Sequence, residues 1–177
     1  MAIEREGYKV VPQSENVPLF TFKQVEVLQC LVDGLDSDVE IAKRIGTVRP
    51  SSIQERKKII TRRLEKRGIF PATLRNAIVL SIKDGLVDTE QLPNVPDVKL
   101  TGSEEDVFKS LAAGKSNKTI VNDLPIGYDY LKRCLFTMRK KFNVESTNSL
   151  VAISAVTAFG NSQESGILTS QAGSNIV

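Results

Sequence analysis

Two stretches concentrate the side chains able to do chemistry. The first holds Arg56, Lys57, Lys58, Arg62, Arg63, Lys66 and Arg67, and the second holds Lys132, Arg133, Arg139 and Lys140. Guanidinium and ammonium groups at this density bond phosphate oxygens, and Arg or Lys can also bond guanine edges. Other chemistries lack their residues. The 177-residue chain has no His, so it offers no Ser-His or Cys-His dyad, no imidazole base and no His metal ligand. Its two cysteines, Cys30 and Cys134, are too few and too far apart for a Cys-rich zinc site or a secreted disulfide framework. No nucleotide loop or nucleophile motif is present. The expectation is a non-enzyme with no catalytic site, no cofactor and no metal.

The composition, 25% charged and 41% apolar, is that of a soluble globular protein. At roughly 100–200 residues per domain, the chain makes one ordinary domain or two small ones. The net charge of +3 is unevenly placed. Residues 20–86 carry 13 basic against 8 acidic side chains, residues 100–160 carry 8 against 6, and the pieces around them are slightly acidic. Such unevenness points weakly to nucleic acid, and an ordinary solvated surface explains it as well. The opening MAIEREGYKV has no signal-peptide core. The most apolar stretch, Leu150–Phe159, is about half of the ~20 residues that span a bilayer. With the low Cys usage, this suggests a cytoplasmic location and no membrane partner.

The elements that must position the basic residues are written twice. Phe20-Thr21 matches Leu100-Thr101, and Val27, Leu28, Leu31 and Gly34 match Val107, Phe108, Leu111 and Gly114, always 80 residues on. The offset drops to 79 at Ile41/Ile120 and Ile45/Leu124, then to 78 at Ile53/Leu131, Ile60/Met138 and Leu64/Phe142. Each copy reads as four helices. Thr21-x-x-Gln24 and Thr101-x-x-Glu104 are capping boxes that open the first. Gly34 and Gly114 close it in the left-handed conformation. The second covers Ser37–Ile45 or Asn117–Leu124. In the third, Leu131, Leu135, Met138 and Phe142 form one buried stripe, as do Ile53, Ile60 and Leu64, with the basic residues on the opposite face. Lys57 falls where Leu135 lies and is expected to snorkel. Three extra residues lengthen the first copy near Glu65-Lys66-Arg67. A last helix covers about Leu74–Asp84 or Asn148–Phe159. The face Val151–Phe159 is apolar nearly all round and suits either a dimer contact or packing inside its own copy. Cys30 reads as core, while Cys134 reads as core or as a redox-sensitive thiol on the basic helix.

Two short helices across a tight turn, the later one basic outward, describe a helix-turn-helix, in which that helix enters the major groove. A plain helical interaction module fits the same pattern. The run Leu100–Val144 goes further. Through Leu100-Thr101, Glu104, Val107, Leu111-Ala112, Gly114, Ser116-Asn117-Lys118, Ile120, Leu124, Ile126, Lys132, Lys141 and Val144 it resembles the LuxR/GerE-type helix-turn-helix. Residues Phe20–Val87 resemble a divergent copy, with Thr21, Val27-Leu28, Gly34, Glu40-Ile41-Ala42, Gly46, Pro50, Ile53, Ile60, Leu64, Ala77 and Gly85-Leu86. The resemblance implies four-helix domains in which the third helix reads DNA and the fourth often dimerises. Matched residue by residue, it places base contacts at Lys132, Arg133 and Phe136, and at Gln54, Glu55 and Lys58. Tyr130-Leu131 stands where the family has Thr-Val, and Cys134 where it has His.

The sequence therefore leads to an all-α protein of two tandem LuxR/GerE-like domains. An arm covers 1–19, the domains 20–86 and 100–160, a linker 87–99, and a disordered tail 161–177. The function implied is a bacterial transcription regulator without a receiver domain, bound to double-stranded DNA through Gln54, Lys58, Arg62, Lys132, Arg133, Phe136 and Lys140. A homodimer through the last helix is a further expectation. The alternative is an adaptor that docks on RNA polymerase or another regulator, favoured by Phe136, Asp129 and Glu55. The 13-residue linker, with Pro93 and Pro96, reaches about 45 Å when extended, enough to separate two domains by the ~34–36 Å of one DNA turn.

Overall fold

The computed structural model describes residues 18–46, 49–92 and 98–167, the last seven as backbone alone. Among the described residues eight helices run in order: α1 (Phe22–Val32), α2 (Asp38–Ile45), α3 (Pro50–Lys66), α4 (Leu74–Lys83), α5 (Gly102–Ala112), α6 (Asn117–Asp123), α7 (Tyr128–Lys141) and α8 (Thr147–Ile167). Among the described residues there is no strand, and no helix is long and apolar enough to cross a membrane. The segment 1–17, Pro93, Pro96 and residues 168–177 lie outside the described residues.

The helices pack in two groups of four with matching local chemistry. α1 and α5 both start on a capping box, with the Thr21 amide donating to Gln24 Oε1 at 3.0 Å and the Thr101 amide to Glu104 Oε2 at 2.8 Å. Both end on a left-handed glycine, Gly34 (φ 95°) and Gly114 (φ 69°). After each, an amide reaches back five residues: Leu35 to the Cys30 carbonyl at 2.9 Å, and Lys115 to Ser110 at 3.1 Å. α3 opens on Pro50, whose missing N–H costs nothing in a first turn. It has 17 residues against 14 in α7, which accounts for the three extra residues. Ile53, Ile60 and Leu64, like Leu131 and Met138, are fully buried. Each such side chain contributes about 1.5–3 kcal/mol through loss of apolar area to water.

The interior is continuous across both groups. α8 packs on α5 of its own group, equally on α4 of the other, and less extensively on α1. That resolves its all-round apolar character. Leu150, Val151, Ala152, Ile153 and Ala155 are fully buried because they face partners on two sides within one chain. The face expected to make a homodimer, or to pack only inside its own copy, is thus shared between the two groups. Small residues line the joint: Ser81 and Ser154 are both buried, and each satisfies its hydroxyl on the carbonyl three residues back, at 2.8 Å (Ile78) and 2.7 Å (Val151).

Val87 is buried, and Asp88 exchanges two hydrogen bonds with the Gln29 side chain at 2.7 and 3.0 Å, so the first group reaches past 86 into the expected linker. α8 continues to Ile167, past the expected domain end at 160, with Gly160 and Gly166 inside it and no proline to interrupt it.

Candidate nucleic-acid interface

Burial of the apolar stripe fixes what the third helix of each group shows outside. With Ile53, Ile60 and Leu64 turned inward, Gln54, Glu55, Lys58 and Arg62 are exposed on α3. With Leu131, Cys134, Leu135 and Met138 inward, Lys132, Arg133, Phe136 and Lys140 are exposed on α7. All seven residues expected to contact DNA therefore lie on the open surface of a third helix. The two ridges are 78 residues apart position by position but chemically unlike. On α3 they run Ser51, Gln54, Glu55, Lys58, Arg62, and on α7 Asp129, Lys132, Arg133, Phe136, Lys140.

Not every basic residue belongs to these ridges. Arg63 turns inward and donates to the Leu19 carbonyl and to Gln24 Oε1, both at 3.2 Å. Lys141 does the same in the second group, reaching the Lys99 carbonyl at 3.1 Å and Glu104 Oε2 at 2.6 Å. These cations lock the third helix to the capping box of the first. Burial pushes the Glu104 carboxyl up, but the bonds from Lys141 and Thr101 outweigh it and hold it below the usual carboxylate range. Lys57 does more than snorkel: it pairs with Asp38 at 2.7 Å, tying α3 to α2. Arg139, expected on the outer face, is half-buried and donates to the Glu145 carbonyl at 2.6 Å. Helical spacing marks which residues are basic, but it does not show which of them a neighbouring loop carbonyl will capture.

α7 carries a second pattern. Tyr128, Tyr130 and Phe136 are exposed, Phe136 at 55%. Each lies under a cation of the same helix: Lys132 at 5.1 Å, Arg133 at 6.0 Å and Lys140 at 5.1 Å from the ring centroids. Such pairs hold long side chains in place at modest energy, about 0.5–1 kcal/mol when exposed. The two acidic groups on the ridges are also partnered, Asp129 by Lys132 at 3.7 Å and Glu55 by Arg62 at 3.8 Å. Surface pairs of this kind are weak and are given up readily to a phosphate.

Cys134 lies on the inner side of α7 and Cys30 in the core, both buried and both free. Burial raises both thiols, helped at Cys30 by Asp33 and opposed at Cys134 by a hydrogen bond with Tyr130. Neither has the low pKa or exposure of a redox-sensitive thiol. Among the described residues, no three His, Cys, Asp or Glu side chains converge as a metal site.

Compared with known proteins, the chain matches no protein family, no curated protein and no solved structure.

Proposed function

We propose that the chain is a DNA-binding transcription regulator built from two tandem LuxR/GerE-like helix-turn-helix units, with α3 and α7 as the helices that enter the major groove. One observation carries this reading. Both third helices bury their apolar stripe and leave a ridge of hydrogen-bonding and cationic side chains open along their length. A helix with exposed Arg, Lys and Gln side chains fits the width of the major groove and meets both phosphates and base edges there. The test is duplex binding by fluorescence anisotropy across a salt series. With about six phosphate contacts, log affinity falls against log salt with a slope near −5. Absence of binding to random and genomic duplexes even at low salt overturns the reading.

That outcome would bring forward an adaptor that docks on RNA polymerase or another regulator. The observation that favours it is the exposed Phe136, which borders an open cleft with Arg139, Lys140, Asn143, Val144 and Glu145.

A further inference from the structure

The joint between the two groups repeats itself in both directions. At one end, the start of α4 meets the loop after α5. Thr73 Oγ1 donates to the Gly114 carbonyl at 3.0 Å, and Arg75 donates to the Lys115 carbonyl at 3.1 Å. Asn76 lies so close that a Cβ on Gly114 would fall 2.6 Å from its Cα. At the other end, the start of α8 meets the loop after α1. Ser149 donates to the Val32 carbonyl at 3.0 Å, and Asn148 donates to Asp36 at 2.7 Å. A Cβ on Gly34 would fall 3.1 Å from Ser149 Oγ. Thr73 and Ser146 are matched as helix caps, each accepting from the amide three residues on, at 3.1 Å in both. Counted from those caps, Arg75 matches Asn148 and Asn76 matches Ser149, just as Gly34 matches Gly114.

Contacts in which one copy's residue meets the other's partner, and the reverse, define a two-fold relation; a translational repeat does not produce them. Here the two-fold runs between α4 and α8 inside one polypeptide. Such a relation would carry α3 onto α7, and the shared core with four inter-group hydrogen bonds ties the two groups together.

We infer that the chain is an internal two-fold pair that holds α3 and α7 as one rigid couple, and that its ligand is a duplex with two half-sites of opposite direction and unlike sequence, bound by a single chain. This rests on the DNA reading above. The opposite direction follows because duplex half-sites mirror the two-fold of the protein that reads them. The unlike sequence follows from the ridges, where Glu55 faces one half-site and Arg133, its counterpart, the other. Cytosine N4 donates to a carboxylate, whereas guanine accepts from a guanidinium.

Two measurements on the full chain test this. Spin labels on Glu65→Cys and Thr137→Cys, both exposed positions, report the distance from α3 to α7; the buried native thiols stay unlabelled. A single narrow distance in the free chain, unchanged on DNA, supports the rigid couple, and a broad distribution overturns it whether or not DNA binds. Selection from random duplexes then gives the preferred site. The expected complex holds one chain per duplex. Inserting five base pairs between the half-sites, about half a turn, lowers affinity by about 10²-fold or more. Two chains per duplex, or indifference to the insertion, overturns the inference while leaving DNA binding intact. Loss of all duplex binding removes the DNA reading, and the proposed ligand with it.

Discussion

The two groups of helices are nearly the same molecule inside and different molecules outside. Inward, equivalents persist down to single hydrogen bonds: Gln24 with Arg63 against Glu104 with Lys141, Ser81 against Ser154, Gly34 against Gly114. Outward, the five ridge positions of α3 and α7 share not one residue. Packing constrains an interior to about one solution, because any change of volume is felt by neighbours. A ridge that touches only solvent or a ligand is free to diverge. The contrast separates what builds the scaffold from what the scaffold presents.

The largest difference between the two groups is expected at their two glycines. Both have positive φ, so any Cβ there is strained, but their surroundings differ. At Gly114 the new atom meets Asn76 backbone, which cannot yield without moving α4, whereas at Gly34 it meets a rotatable hydroxyl. Gly114→Ala is expected to cost roughly 2–5 kcal/mol and Gly34→Ala roughly 1–2 kcal/mol, read by urea denaturation. Equal costs would mean that the two ends of the joint are not as unequal as their geometry.

The ridges come next. Arg133→Ala is expected to cost roughly 1–3 kcal/mol on the preferred duplex and little on random DNA. Replacing Lys58 and Arg62 together should weaken all sequences alike and flatten the salt dependence, since α3 combines strong positive charge with Glu55 at a reading position. The reverse pattern would exchange the roles of the two helices.

The smallest effect concerns the capping boxes. Glu104 has a depressed pKa in the folded state, so its stabilisation is present above the ordinary carboxylate range and is lost as pH falls through the folded value. Its counterpart Gln24 does not titrate. Glu104→Gln should therefore remove about 1 kcal/mol at neutral pH and flatten the acid side of the stability profile. Thermal melts from pH 3 to 7 measure both, and an unchanged acid limb would show that Lys141 adds nothing to what Arg63 supplies opposite a neutral partner.

Much of this was readable from residue order. The capping boxes, the left-handed glycines and the 80-to-78 offset fix the helices and their equivalence because they act locally, within one turn or one loop. That the seven residues expected to contact DNA face outward was legible for the same reason: burial of the stripe at spacings of three and four decides what faces out. The arrangement of the two groups was not legible. It depends on Gly114 approaching Asn76 backbone and on Ser149 reaching a carbonyl 117 residues away, and neither leaves a pattern at fixed spacing. The apolar circumference of α8 was the available signal. It shows that every side of the helix is covered, but not by which neighbour. Arg63 and Arg139 misled because a long side chain can fold back to a loop oxygen that periodicity does not place.

The shared core also sets an order of events during synthesis. α4 is complete at residue 83, but the helix that covers it begins at residue 147 and runs to 167. At roughly 5–20 residues per second, the ribosome leaves the α8 side of α4 uncovered for about 4–17 s. In that interval the exposed side of α4 can receive the finished α8 of a chain ahead of it on the same message, whose own α4 is then covered by the α8 made later, giving a swapped dimer with the same joint as one chain. Slower translation across the second half of the message would lengthen the interval and raise the swapped fraction, with no change in any residue.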